Sequence, residues 1–306
     1  VTPVRYVSPD EDSARWAAVP PRDGDVVVST RSKHGTTWVQ ALCLSLVHGP
    51  DLPAPLAELS PWVDWTVEPT DALARRLAAQ PHRRVLKTHT PLDGLPLHPG
   101  TTYVVVARDP LDAAVSLHHQ GANLDRERLA ELTGAPVRPP VPSRPRPDLE
   151  AWLRRWVERD TDPRTDLDGL PGVLHHLADA WARRSSSQVV LVHYDDLLHD
   201  LPGEARRLAT RLGVRVPETA WGPLLAGLGL ETMRARADRL APAPPGVFRD
   251  PAAFFRSGRS GTGREVLGPE GVRRYRERAA GLAPADLLAW LHRDDGLGAP
   301  PRGPGA

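Results

Sequence analysis

The stretch VVVSTRSKHGTTWVQAL, Val26 to Leu42, constrains this chain more than any other. Its valines read as a short buried strand, and the run from Thr36 onward reads as a helix. The polar turn between them holds Lys33, Gly35 and the pair Thr36 and Thr37. A strand that turns directly into a helix gathers the free N–H groups of the first helical turn, the positive end of the helix dipole, an ammonium and two hydroxyls around one small volume. That set of groups suits a phosphate or a sulfate. The Walker pattern GxxxxGK[ST] is not met, because Lys33 precedes Gly35 and the threonine pair, so an ordinary ATPase or GTPase is disfavoured.

Three further β-branched runs follow, RRVLKTH, TTYVVVARD and SSQVVLVHYDDL, each leading into a segment with helical character. Strands alternating with helices predict an α/β fold, with a P-loop-like central parallel sheet and helices on both faces. With 306 residues, 40% hydrophobic and 25% charged, the chain can bury a sizeable core, and a single domain over 1–306 is expected. The stretch GAPVRPPVPSRPRP, 134–147, is too rich in proline for a helix interior or a central strand. It is expected to be a mobile loop, either a solvated spacer or a cover for substrate. The final GAPPRGPGA, 298–306, is expected to fray.

A formal charge of +1 argues against nonspecific nucleic-acid binding as the main activity. The one cysteine, Cys43, excludes an intramolecular disulfide and lies in an apolar helical run, where a small buried side chain is expected. There is no N-terminal basic-then-apolar signal and no 18-residue apolar run, so a cytoplasmic protein with no membrane span is expected.

Five ordered motifs carry a resemblance. SKHGTTW, Ser32 to Trp38, resembles the PKSGTTW loop that binds the 5′-phosphosulfate in the cytosolic-type sulfotransferases, with serine and histidine in place of the family's proline and serine. LKTHTPL, Leu86 to Leu92, is similar to that family's KTHLP segment. YVVVARDPLDAAVSLHH, Tyr103 to His119, is similar to its strand and helix at the 3′-phosphate, and VHYDDL to its YEDL segment. FFRSGRSGTGREVL is similar to its RKGxxGDWK segment. The resemblance spans roughly 24–268 and identifies the chain as a bacterial member of the family that uses 3′-phosphoadenylyl sulfate (PAPS) as co-substrate, with no metal.

By that resemblance His89 is the catalytic base, with Lys33 and Lys87 beside it in the catalytic set. Lys33, His34, Gly35, Thr36, Thr37 and Trp38 bind the 5′-phosphate side of the nucleotide. Arg108, Ser116, Arg256, Ser257 and Gly258 bind its 3′-phosphate, and Tyr194 and Leu230 lie near the adenine. The chemistry of these residue types agrees. An imidazole with an ordinary pKa near about 6.5 is available as a neutral base at pH 7. An ammonium can follow charge on a leaving phosphate, and arginines suit bidentate contact with phosphate oxygens. Trp38 suits stacking on adenine, and equally a place in the core.

Departures bear on the donor site. Ser257 stands where the family usually has lysine, so one cation is exchanged for a hydroxyl, and Thr262–Gly263 replace Asp-Trp. Leu230 replaces an aromatic ring. The KxxxTVxxxE dimer signature is missing, which leaves monomer and homodimer open. Two other readings stay open: an ATP-dependent kinase related to P-loop proteins, for whose magnesium carboxylate Asp109, directly beside Arg108, is a poor match, and a noncatalytic nucleotide-binding domain.

The acceptor is expected to be a hydroxyl on a small molecule, apolar or aromatic as the first expectation and a carbohydrate or glycolipid as the second. Its pocket walls are expected from Ser60 to Glu68, the proline-rich loop, and Trp152 to Asp168. The pairs His118–His119 and His175–His176 diverge by about 100° on a helix, so neither makes a two-ligand metal face. Trp152, Trp156 and Trp181 are expected in the core ahead of a pocket.

Overall fold

Each of the four β-branched runs forms a strand, and together they make one parallel sheet in the order β2-β1-β3-β4. The strands are β1 (Val26–Ser29), β2 (Val85–Thr88), β3 (Thr102–Ala107) and β4 (Val189–His193). These come from a computed structural model that describes residues 2–134 and 147–293. All but the two end residues of the proline-rich stretch, and the whole of the 298–306 tail, lie outside the described residues. Register pairs Val28 with Lys87, Ser29 with Thr88, and Ala107 with His193.

Helix α1 (Thr36–His48) follows β1, with α2 (Leu56–Leu59) and α3 (Thr70–Ala78) ahead of β2. After β3 come α4 (Pro110–Asn123), α5 (Arg126–Thr133), α6 (Leu149–Glu158) and α7 (Leu170–Ala182). After β4 come α8 (Tyr194–His199), α9 (Leu201–Leu212), α10 (Glu218–Gly227), α11 (Leu230–Ala235), α12 (Ala237–Leu240), α13 (Thr262–Ala280) and α14 (Ala285–His292).

Strand residues alternate between two cores because successive side chains leave opposite faces. Val27, Leu86, Tyr103, Val105 and Leu191 pack with residues of α3, α4, α6, α7, α13 and α14. Val26, Val28, Val85, Val104, Val106 and Val192 pack with α1, α9, α10, α11 and α12. Both faces are therefore covered, which is why the strands read as continuous apolar runs. Cys43 is fully buried in α1, and Trp156 and Trp181 are buried in the first of these cores, with Trp152 packed against it.

The topology fixes where a ligand can sit. The chain leaves β1 toward β2 on one side and, after crossing back, leaves β3 toward β4 on the other. The carboxyl ends of β1 and β3 thus flank a switch point, where the connecting loops diverge and open a crevice. No helix among the described residues is long and apolar enough to cross a membrane.

Candidate active site

Because the sheet is parallel, all four strands deliver their following residues to one edge. β1 leads into the turn at Lys33, β2 carries Lys87 and ends before His89, β3 ends before Arg108, and β4 ends before Tyr194. These residues line a single cavity of about 410 Å³.

The turn after β1 is held in an unusual backbone conformation. Lys33 has φ 67 and Gly35 φ 100, both left-handed, the first costing about 1–2 kcal/mol for a residue with a Cβ. Such alternation turns successive N–H groups toward one concavity, an anion nest. The N–H groups of Gly35, Thr36 and Thr37 find no acceptor among the described residues. A Cβ on Gly35 would stand 2.9 Å from the Tyr194 ring, so both the conformation and the close approach require glycine. The Thr36 hydroxyl is hydrogen-bonded to that of Thr30.

Cations crowd this concavity without a direct ion-pair partner among the described residues. Lys33 Nζ lies 3.7 Å from the centre of the Phe254 ring. Burial, then the neighbouring Arg108, Lys87 and Arg256, push its ammonium down to about 7. Arg108 is buried, donates to the carbonyls of Lys33 (3.3 Å) and Arg259 (2.8 Å), and lies 4.2 Å from the centre of the Tyr194 ring. Its Nε is buried with no partner. Among the described residues no carboxylate forms an ion pair with Lys33, Lys87, Arg108 or Arg256. Cations packed this closely either give up a proton, as the lowered Lys33 shows, or are stabilised by an anion placed between them. The residues present therefore fit a nucleotide bearing several phosphate or sulfate groups, and Trp38 and Tyr194, 5.5 Å apart edge to face, supply aromatic surface beside it.

His89 is buried and its tautomer is fixed. Nδ1–H donates to the Thr30 carbonyl, and the backbone N–H donates to Asp64 Oδ2 at 2.7 Å. Nε2 has no hydrogen-bond partner among the described residues, and the ring lines the cavity. Burial first, then Lys87 and Arg31, hold the imidazole well below its ordinary range, so it is neutral at pH 7 with a lone pair on Nε2. Lys87, next but one in β2, lies with Nζ 3.8 Å from the Trp62 ring centre, and burial pushes it down to about 8 against the attraction of Glu11, Asp64 and Asp168.

The expected residues Gly35 to Trp38, Ser116, Leu230 and Arg256 to Gly258 also line the cavity, and Leu230 packs on Gly258. His34 is the exception. Its side chain is fully buried outside the cavity, with Nδ1 3.0 Å from the Ser32 carbonyl, and its N–H closes the turn onto Arg31. The left-handed residues on either side rotate it inward, away from the nest. Asp109 caps α4 through Leu111 N and pairs with Arg264 at 2.9 Å, so it is committed to the scaffold and not presented to a metal. The Thr262–Gly263 departure is accommodated by Asp112, which accepts from the N–H groups of Gly261 (2.7 Å) and Gly263 (2.8 Å). Gly263 lies against Leu111, where a Cβ would clash with the Leu111 Cβ at 2.5 Å and its carbonyl carbon at 2.6 Å.

Of the expected acceptor walls, Trp62 and Trp65 and the stretch Thr165 to Asp168 line the cavity, while Trp152 does not. Beyond those walls, the N-terminal segment Ser8 to Glu11, the buried Arg31 and the apolar stretch around Val247 and Phe248 also line the cavity, and the buried Asp64 stands behind it. Asp64 accepts from Trp16, Thr88 and the His89 N–H, and Arg31 donates to the His89 carbonyl and to Asp168 (2.8 Å). The two tryptophans in PWVDW were the visible signal for that wall; nothing in the local sequence marks Glu11 or Arg31.

Comparison with known proteins gives three findings. A family model described as "Sulfotransferase domain" matches residues 23–280. A "Glycolipid sulfotransferase" of Mycobacterium bovis (strain BCG / Pasteur 1173P2) is 41% identical over 309 residues, covering 94% of each chain, and one of Mycobacterium tuberculosis (strain ATCC 25177 / H37Ra) is 41% identical over 308. Mouse sulfotransferase SULT7A1 complexed with PAP shares the fold at a TM-score of 0.65 and 16% identity, covering 90% of each chain.

Proposed function

The chain belongs to the sulfotransferase domain family and transfers a sulfuryl group to an acceptor, and from that premise we propose its donor, its acceptor class and its working residues. The donor is PAPS, bound across the β1–β3 switch point. Lys33 and the N–H groups of Gly35 to Thr37 hold the 5′-phosphosulfate, and Arg108, Ser116 and the Arg256 to Gly258 segment hold the 3′-phosphate. Trp38, Tyr194 and Leu230 enclose the base.

His89 is the general base. Nε2 takes the acceptor hydroxyl proton as the acceptor oxygen bonds to sulfur and the bond from sulfur to the bridging phosphate oxygen breaks. The leaving nucleotide, PAP, keeps that electron pair, and Lys33 stabilises the charge that builds on it. Burial keeps the imidazole neutral, and Lys87 adds to this by placing positive charge beside it. The observation that carries this reading is the fixed tautomer: with Nδ1–H on the Thr30 carbonyl, His89 offers a bare Nε2 to the same cavity as four unpaired cations.

The acceptor is a hydroxyl of a glycolipid-like amphiphile. The 41% identical relatives bear that name, and the cavity has apolar walls at Leu124, Val247 and Phe248 as well as carboxyl groups at Asp10, Glu11 and Asp168. This favours the second sequence-based expectation over the first. The kinase alternative has no free carboxylate at Asp109, and a noncatalytic role has no use for a base poised on Nε2.

The test is His89→Ala. PAP is expected to bind within a few-fold of the wild type, while turnover falls by about 10²-fold or more. Affinity and rate falling together would make His89 a binding or folding residue.

A further inference from the structure

We propose that the acceptor end of the cavity is a pyranose subsite, in which the Trp62–Trp65 pair carries the sugar ring and Glu11, with Asp168, reads the hydroxyls beside the one facing His89. This rests on the sulfuryl-transfer reading above and adds to it the part of the acceptor that is recognised and the residues that recognise it.

Glu11 is the first reason. It is 7% exposed and lines the cavity, yet its carboxyl receives no hydrogen bond among the described residues, and Oε2 is buried without a partner. Arg31 Nη1, at 3.7 Å, is beyond hydrogen-bond reach. A buried carboxyl left unsatisfied in this way costs stability unless a ligand completes it. Burial, with Asp168, Asp64 and Asp10, raises Glu11 to about 8 despite Arg31, so at neutral pH it is largely protonated. Such a group both donates and accepts, as a hydroxyl does.

The aromatic pair is the second. Trp62 and Trp65 stack with centroids 5.0 Å apart at 21°, and Trp62 stands edge-on to His89 at 4.5 Å. A pyranose offers an apolar C–H face to such a surface and a ring of hydroxyls to carboxyl groups at its rim.

The backbone ties these groups into one unit. Glu11 is bridged to Trp65 and Trp62 to Lys87, while Asp12 N donates to the Asp64 carbonyl and Thr66 N to that of Asp10. Arg31 joins Asp168 to the His89 carbonyl, so hydroxyl readers and base share one guanidinium. A phenol or a simple alcohol brings a single hydroxyl and leaves Glu11 unpaired, which is how a polar site rejects an analogue lacking the group it binds.

The test uses two acceptors with the same tail, n-octyl β-D-glucopyranoside and octanol, with PAPS as donor. The wild type is expected to prefer the glucoside by about tenfold or more in kcat/KM. Glu11→Ala is expected to raise KM for the glucoside about tenfold, with kcat changed much less and with a several-fold smaller effect on octanol. Glu11→Gln, which keeps a donor and an acceptor, should recover most of the loss. PAP binding to each variant reports whether it is folded, and the wild-type preference and the Gln variant decide the matter if the Ala variant is not. Equal losses on both acceptors with PAP binding intact, or transfer to octanol as readily as to the glucoside, overturn the pyranose subsite and leave the donor reading standing. Failure of the wild type to bind PAP overturns the donor reading itself.

Discussion

In the mechanism proposed above the chemistry turns on Lys33, a residue whose environment is arranged against its own charge. Burial and three neighbouring cations hold the ammonium down to about 7, so the folded protein binds fewer protons than the unfolded chain between that pH and about 10.5. Lys33 therefore makes stability without nucleotide rise with pH across that window. A phosphate-bearing ligand supplies the missing counter-charge and lifts the pKa. PAP binding at about pH 8 is expected to take up a fraction of a proton, read by calorimetry in buffers of different ionisation enthalpy, with less uptake in Lys33→Met. Binding without proton uptake would contradict this. The same variant is expected to lower saturated turnover by about 10²-fold or more while PAP affinity changes far less, because the extra phosphate charge matures only in the transition state. A raised donor KM with unchanged turnover would reduce Lys33 to an attractor of anions. Lys33 and His89 were legible in the sequence because their motifs are local. Glu11, Arg31 and Asp64 were not: Arg31 and Asp64 act through side-chain partners 24 to 137 residues away, and Glu11 is placed by a backbone bridge to Trp65 that only the fold creates.

At the level of elements, the β3–α4 unit does two jobs with adjacent residues. Arg108 leaves the end of β3 into the cavity, and Asp112 in the first turn of α4 holds the N–H groups at the start of α13, fixing the loop that carries Arg256 to Gly258. Removing that cap in Asp112→Ala is expected to cost about 1–3 kcal/mol of stability, since one buried and one part-buried N–H group lose their acceptor. It is also expected to weaken PAP more than adenosine 5′-monophosphate, which lacks the 3′-phosphate, as is Arg108→Ala. Titration of both nucleotides checks this, and equal weakening would remove the 3′-phosphate from this loop. The four strands were readable because a sheet covered on both faces needs unbroken valine-rich runs. The replacement of Asp-Trp by Thr262–Gly263 was not interpretable from sequence, since its partner Asp112 lies 150 residues earlier and only the sheet brings the two together.

For the whole molecule, a parallel sheet with one switch point gathers four strand ends around one cavity, cationic toward Lys33 and Arg108 and carboxyl-rich toward Glu11 and Asp168. The polarity of the cavity follows from which strand each residue ends or precedes, so the donor end was largely legible. The acceptor end was not, because its walls come from segments with no shared pattern: the N-terminal Ser8 to Glu11, the PWVDW stretch and the Pro242 to Phe248 stretch. The central proposal is that one cavity brings a sulfuryl donor and a hydroxyl acceptor to the His89 imidazole that lines it. The most direct measurement is incubation of the full chain with PAPS radiolabelled at sulfur and n-octyl β-D-glucopyranoside, following label and nucleotide together. Label is expected in the glycoside and PAP released in equal amounts, both suppressed about 10²-fold in His89→Ala. Transfer of phosphate from ATP in place of sulfuryl from PAPS, or full transfer by the His89→Ala protein, would contradict it.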